Sequence, residues 1–395
     1  MKQHERYNCM YEREELACLF FDGPGMASCS SHGAWQYQPA SNFIRRFYGC
    51  PLLDAAYVSQ HRHARLNASG GLLTLPRFSS CSSPPRFDAQ QFLDRLAGRT
   101  LVLVGDSVTE QHFHSLACAI FAHGATRVPS WWPSNATAGE LWKSRSCLPF
   151  GDDHRPFFLC LVTAAKLNEA AAPDWVVSER LRTALGPADV VVLNAGVHFS
   201  DAEVAARHVG MLAGPLLNTS ARSVAPPLVI YAETAPQHFS GGRYPPDDPS
   251  LGCVPLAPRC AARCNGYNQA ARPVARELGV PILPLWAASA ALHSEHPAGA
   301  KRDCTHWILP GVQLHWSELL SDMLLGAEGV AARPLDPLAT PAKRWRALRG
   351  VFKTLAGCLY HTHRRDANTS CCTTACREAV LPFSPPAHPH HSKFL

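Results

Sequence analysis

Residues 92–118 read FLDRLAGRTLVLVGDSVTEQHFHSLAC, and the hydrophobic period changes within them. Residues 100–104, Thr-Leu-Val-Leu-Val, are an unbroken β-branched and apolar run, the pattern of a strand buried on both faces. Gly105 and Asp106 stop it, and over 108–121 the pattern turns helical. Upstream, Asp88 stands where an N-cap belongs for a helix over 89–96, and Gly98 ends that helix.

The alternation continues outward. Apolar runs at 157–163, 189–193, 228–231 and 281–285 read as strands, and 202–217, 261–278 and 312–325 read as helices. Strands that are apolar throughout, alternating with helices, predict an α/β fold, a three-layer α/β/α sandwich around a parallel sheet. Ligands of such sheets bind beyond the carboxyl ends of the strands. Three segments follow: an irregular Cys-, Gly- and Ser-rich region over 1–40, a catalytic domain over 41–330, and a basic, Cys- and His-containing C-terminal extension over 331–395. The stretch 343–355 in that extension is basic and amphipathic. It reads as a solvated helix, with contact to a membrane or an anion as the alternative.

Composition narrows the classes. Hydrophobic residues make up 46% of 395, which supplies a core and excludes global disorder. A net charge of +6 spread along the chain argues against a nucleic-acid partner. No apolar run approaches the ~20 residues of a membrane span. Residues 1–13 are polar and 16–21 are too short for a signal-peptide core, so either the N-terminus lacks its targeting segment or the chain stays in the cytosol with free thiols. Sixteen cysteines, with Asn-x-Ser/Thr sequons at Asn67, Asn135, Asn218 and Asn368, fit a disulfide framework in an oxidising lumen or at the cell exterior. Cys118 and Cys160, inside apolar stretches, also read as small buried hydrophobes. Cys260 with Cys264, and Cys372 with Cys376, lack the second pair that a zinc site needs. His388, His390 and His391 are too weak a cluster to change this, and no metal is expected.

Ser107 sits on a strand-to-helix turn, which holds its Oγ above the sheet edge near a positive helix end. Gly105 permits the turn. Asp106 reads either as the helix cap or as part of the site. A nucleophilic serine needs a base, and the base needs an orienting group. Asp303-Cys304-Thr305-His306 follows the last strand, so both pieces fall on one sheet edge. Asp303 would accept from one ring nitrogen of His306, leaving the other for the Ser107 proton. Asn194 and Gly196 follow the strand over 189–193 on the same edge. The Asn194 amide and the Ser107 N–H are candidate oxyanion donors, and Gly196 would let the backbone approach a ligand; an Asn-Gly turn without a ligand is the alternative.

The stretch quoted above and DCTHWILPGVQLHWSELL (303–320) resemble the two signature blocks of the PC-esterase, or trichome-birefringence-like, proteins. CPLLDAAY, CSSPPRFDAQQF, VVLNAGVHF and APQHFSGGRY resemble intermediate blocks, and the resemblance runs over roughly 41–325. It implies an SGNH/GDSL-type hydrolase fold and polysaccharide O-acetylation, with Ser107 as nucleophile, His306 as base, Asp303 as its partner and Asn194 near the oxyanion. It further implies a glycan acceptor and an acetyl donor, acetyl-CoA or another acetyl ester, as co-substrate with no other cofactor. Cys50, Cys81 and Cys304 fall at family-like positions and become expected disulfide members. Glu110 stands where plant members often have Arg, Ile308 replaces a cysteine, and no counterpart of the superfamily's oxyanion glycine follows 157–163. The same triad serves an acetylesterase, with water as acceptor, and a non-catalytic glycan-binding relative is the third reading. Trp131, Trp132, Trp307 and Trp316 are candidates to stack on sugars, with Trp316 more naturally in the core. Oligomeric state is not legible.

Overall fold

A computed structural model describes residues 34–39, 41–54, 74–79, 87–124, 147–163, 177–178, 181–182, 184–199, 201–218, 225–257, 260, 264–297, 303–325, 345 and 348. Within them β1 (Ala34–Pro39) is followed by α1 (Ser41–Tyr48), and β1 pairs antiparallel with β2 (Thr74–Ser79). Next come α2 (Ala89–Leu96), β3 (Thr100–Gly105) and α3 (Ser107–Ala122). Then follow β4 (Cys147–Phe150), β5 (Phe157–Thr163), β6 (Val190–Leu193), α4 (Ala202–Leu217) and β7 (Leu228–Ala232). The last elements are α5 (Gly266–Glu277), β8 (Ile282–Leu283), α6 (Leu285–Ser289) and α7 (Val312–Leu325).

The six strands β3 to β8 form one sheet in the order β4-β5-β3-β6-β7-β8. All neighbours are parallel except β4, which runs antiparallel to β5 at the edge. The apolar runs follow from burial on both faces. Leu101 and Leu103 of β3 join Leu159, Leu161, Val190 and Val192 in a core covered by α1, α2, α3 and α7. Val102 and Val104 point the other way and meet Phe158, Val162, Val191 and Tyr231 under α4 and α5. This is the expected α/β/α sandwich, and it puts the carboxyl ends of β3, β6 and β7 side by side.

Local chemistry sets the element ends as read from the sequence at several points. The Asp88 carboxylate accepts from Gln91 N at 2.9 Å and starts α2, and Gly98 adopts φ 77° just beyond it. Elsewhere the structure differs. Ala34–Pro39 is a strand inside the segment expected to be irregular. The run over 281–285 yields only two strand residues, because Pro284 offers no N–H to the ladder and Leu285 opens a helix. Cys118 and Cys160 are not free core thiols: Cys50 pairs with Cys118, and Cys147 with Cys160 directly opposite it across β4 and β5. Cys253 pairs with Cys304, and Cys260 with Cys264. Cys81, the sequons at Asn67, Asn135 and Asn368, the stretch 16–21, nearly all of 343–355 and the residues beyond it lie outside the described residues. No described helix is long and apolar enough to cross a membrane.

Candidate active site

The turn after β3 and the loop before α7 meet at the expected edge. Ser107 is the first residue of α3, and Asp106 is its N-cap: Oδ1 accepts from Val108 N at 2.9 Å and from Thr109 N at 3.4 Å. Ser107 Oγ lies 2.7 Å from His306 Nε2, and His306 Nδ1 lies 2.6 Å from Asp303 Oδ2. The other carboxylate oxygen of Asp303 accepts from Thr305 N at 3.1 Å and His306 N at 3.0 Å. Burial raises the Asp303 carboxyl, but the imidazole beside it and these two N–H groups outweigh burial and hold it well below the usual carboxylate range. An ionised Asp303 accepts the Nδ1–H of His306, which leaves Nε2 as an acceptor facing the serine hydroxyl. Geometry and charge together make a proton-accepting imidazole in contact with a hydroxyl at a helix N-terminus.

The loop carrying Asp303 and His306 is held almost peptide by peptide. Gln111, four residues after Ser107 on α3 and fully buried, donates from Nε2 to Trp307 O at 3.1 Å and accepts from Trp307 N at 3.0 Å. His296 Nδ1 lies 2.6 Å from His306 O, and His238 N donates to Cys304 O at 2.9 Å. Gln237 Nε2 donates to Thr305 Oγ1 at 2.8 Å, and Tyr48 donates its hydroxyl proton to Leu309 O at 3.0 Å. The Cys253–Cys304 disulfide adds a covalent tether. Behind the loop, His238 Nδ1 and His296 Nε2 approach to 2.7 Å, and His238 Nε2 lies 3.0 Å from Ala290 O. These contacts in series need three protons, one more than two neutral rings carry. Burial favours the neutral rings, pushing His238 down to about 4 and His296 to about 3.

Replacing Gln111 by Leu strands the Trp307 N–H and C=O in the core. The expected cost is about 2–4 kcal/mol, read as a lower denaturant midpoint at unchanged m. An unaltered midpoint would show that the clamp contributes nothing.

The remaining expected residues also make contacts within the scaffold. Asn194 Nδ2 donates to Ala232 O at 3.0 Å and reaches Thr234 Oγ1 at 3.5 Å, so its amide is engaged with the end of β7. Gly196 is pressed against the Thr234 side chain, and a Cβ there would collide with it; Gly105 packs in the same way on Thr109 and Asn194. Both glycines thus allow close packing between turns. The Ser107 N–H remains as a donor at the start of α3, and residues following β5 lie outside the described set. Trp307 is fully buried between Trp316 and His296, which corrects the expectation that it meets sugar; Trp316 is core as read. Trp131 and Trp132 lie outside the described residues. Gln111 and His296 escaped sequence reading. Gln111 sits among Thr109, Glu110, His112 and His114 in the polar first half of α3, so nothing local singled it out, and His296 offered no signal either. His238 belonged to a block matched by resemblance alone.

A three-layer α/β/α sandwich with a serine, histidine and aspartate joined at its strand ends defines an SGNH-like acyl-esterase architecture. Residues 85–225 match the model of the PC-Esterase family, described as the GDSL/SGNH-like acyl-esterase family found in Pmr5 and Cas1p. That match covers 141 of the 395 residues, and the relatives the chain resembles point the same way. It is 24% identical to protein trichome birefringence-like 18 of Arabidopsis thaliana over 74% of this chain and 65% of that relative, so it spans just under two thirds of that protein's length. It is 24% identical to xyloglucan O-acetyltransferase 1 of Arabidopsis thaliana, over 67% of this chain and 72% of the relative. Xylan O-acetyltransferase 2 of Oryza sativa subsp. japonica is 27% identical over a shorter match, 30% of this chain and 24% of the relative. The family and these names support an enzyme of the acetyl-transfer or esterase kind.

Proposed function

We propose that this chain O-acetylates a polysaccharide hydroxyl through an acetyl-Ser107 intermediate. The observation that carries the reading is the continuous line from Ser107 Oγ through His306 to Asp303, at 2.7 and 2.6 Å. His306 Nε2 takes the hydroxyl proton as Ser107 Oγ attacks the carbonyl carbon of an acetyl ester or thioester. The tetrahedral intermediate collapses, and the leaving group departs with that proton. A sugar hydroxyl then gives its proton to Nε2, attacks the acetyl-serine, and frees Ser107 as the new ester forms. Asp303 stabilises the imidazolium in both halves. The Ser107 N–H, beside the positive end of α3, is the oxyanion donor we assign.

Hydrolysis of the same intermediate is the second reading. It is favoured by the side-chain exposure of His306 and Asp303, 18% and 32%, which leaves water a route to the base. Intact-mass measurement after incubation with an acetyl donor, with and without an oligosaccharide, separates the two. The expected result is one acetyl group on Ser107 that passes to the sugar. Discharge to acetate alone assigns an esterase, and absence of any adduct and product overturns both in favour of a glycan-binding relative.

A further inference from the structure

Each polar atom of His306 is engaged, and one of those bonds leads away from the reaction. Its Nε2 faces Ser107 Oγ, its Nδ1 faces Asp303 Oδ2, and its N–H donates to Asp303 Oδ1. Its C=O lies 2.6 Å from His296 Nδ1, and the N–H of the same 306–307 peptide donates to Gln111 Oε1 at 3.0 Å. The peptide that follows the base is thus gripped at both ends of its dipole, by α3 on one side and by His296 on the other. The backbone beside His296 is tied to the same loop, since Glu295 O accepts from Ile308 N at 2.8 Å. His238 is tied to it as well, through its N–H to Cys304 O at 2.9 Å. Both rings are buried, at 0% exposure for His238 and 4% for His296. The Trp307 indole stands edge-on to His238 and tilted against His296, with centroids 5.6 and 4.2 Å apart. Neither imidazole can turn over without displacing that fully buried indole.

The line from His306 O through His296 and His238 to Ala290 O has a carbonyl at each end, and a carbonyl only accepts. Burial keeps both rings neutral, so two protons serve three contacts. One arrangement aims an N–H at each carbonyl and leaves two bare ring nitrogens facing at 2.7 Å. Another puts the His296 proton on Nε2, which turns its bare Nδ1 on the His306 carbonyl at 2.6 Å. The third protonates both rings at Nδ1. His238 then donates to His296 Nε2, and His296 donates to His306 O. The one mismatched contact is the longest of the three, His238 Nε2 against Ala290 O at 3.0 Å. Repulsion between like partial charges falls with distance, so the third arrangement is the favoured one.

Resting on the acyl-transfer reading above, we infer that His296 is a positioning residue for the base, holding the His306 carbonyl through Nδ1–H in a tautomer that His238 Nδ1–H imposes. The pair acts through the His306 backbone, which sets where the imidazole meets Ser107. Long-range proton–nitrogen NMR of the imidazoles at pH 7 reads the tautomers directly, with signals assigned by their loss in His238→Phe and His296→Asn proteins. Both rings are expected with Nδ1 protonated and Nε2 bare. An Nε2–H tautomer at His296, or an imidazolium on either ring, would overturn the inference. Turnover of a small acetyl ester reads the positioning. His296→Leu is expected to lower kcat about 10- to 100-fold with KM little changed, the scale of a base displaced by a fraction of an ångström to ~1 Å. His296→Asn, whose Nδ2 donor takes the place of the ring Nδ1, should restore kcat to within about 3-fold of the parent protein. Asn fills the space of the ring no better than Leu does, so this rescue reports the hydrogen bond and not the packing. Parental kcat in His296→Leu, or an equal loss in the two variants, would each remove His296 from this role. The tautomers are read without turnover and acetyl labelling of Ser107 is read separately, so failure of the acyl-enzyme mechanism and failure of the histidine pair are distinguishable.

Discussion

Ser107→Ala is expected to lower acetyl-ester turnover by about 10⁴- to 10⁶-fold, the loss typical when an enzyme is deprived of its nucleophile. The substitution removes one oxygen whose bond within the site is to His306 Nε2. Asp106 still caps α3 and Gln111 still grips Trp307, so helix and loop keep their places. The Tm should therefore move little while the rate collapses, a combination that separates chemistry from folding. Residual turnover from the oxyanion donor and binding alone belongs to the same expectation. Activity within tenfold of the parent protein would remove Ser107 from the mechanism and leave the 2.7 Å contact without a catalytic meaning.

Acidification is expected to destabilise the fold steeply between about pH 6.5 and 4.5, and the cause is histidine burial. Burial pushes His112, His114 and His296 down to about 3 and His238 to about 4, whereas an unfolded imidazole titrates near ~6.5. Across that window the unfolded chain binds these protons and the folded chain does not, so unfolding consumes protons and stability falls with pH. Two carboxyls work in the opposite direction. Burial raises Glu233 against the pull of Arg272, and burial with the Glu318 charge raises Asp322 to about 6, so the folded state holds protons there that the unfolded state has released. These carboxyls offset part of the histidine uptake, and the net effect of the four buried imidazoles is a loss of stability as the pH falls. Urea midpoints at pH 7, 6 and 5 measure this directly. A midpoint that stays level across the series would show that these imidazoles are not held neutral, and His112→Leu should flatten the slope by about one proton.

Sustained hydrophobic period made most of the fold legible. Helices α4 and α7 and strand β5 fall on the expected residues because each carries one pattern from end to end. Strand β4 was invisible: four residues including Pro149 carry no period, and its identity comes from pairing with β5 and from the disulfide that crosses the pair. Strand β8 was overread because an apolar run flanked by prolines looks the same whether two residues or five join the ladder. In the site, chain order placed Ser107 and Asp303–His306 on one edge before any distance was known. The supporting residues were hidden because their roles exist only between distant positions. Gln111 and Trp307 are 196 residues apart, and nothing local marks either as the other's partner. Trp307 was misread for the same reason: a tryptophan beside a base resembles a sugar platform until its complete burial is known.

On the acyl-transfer mechanism proposed above, the Gln111 clamp makes α3 a common reference for both sides of the reaction. Ser107 is mounted on the helix directly, and one turn later the same helix grips the peptide that follows His306. A slide of α3 along the sheet carries nucleophile and base together, so their separation is preserved as a differential quantity while their shared position drifts. Thermal motion of the scaffold then changes where the acetyl group must arrive more readily than it changes the 2.7 Å spacing on which proton transfer depends.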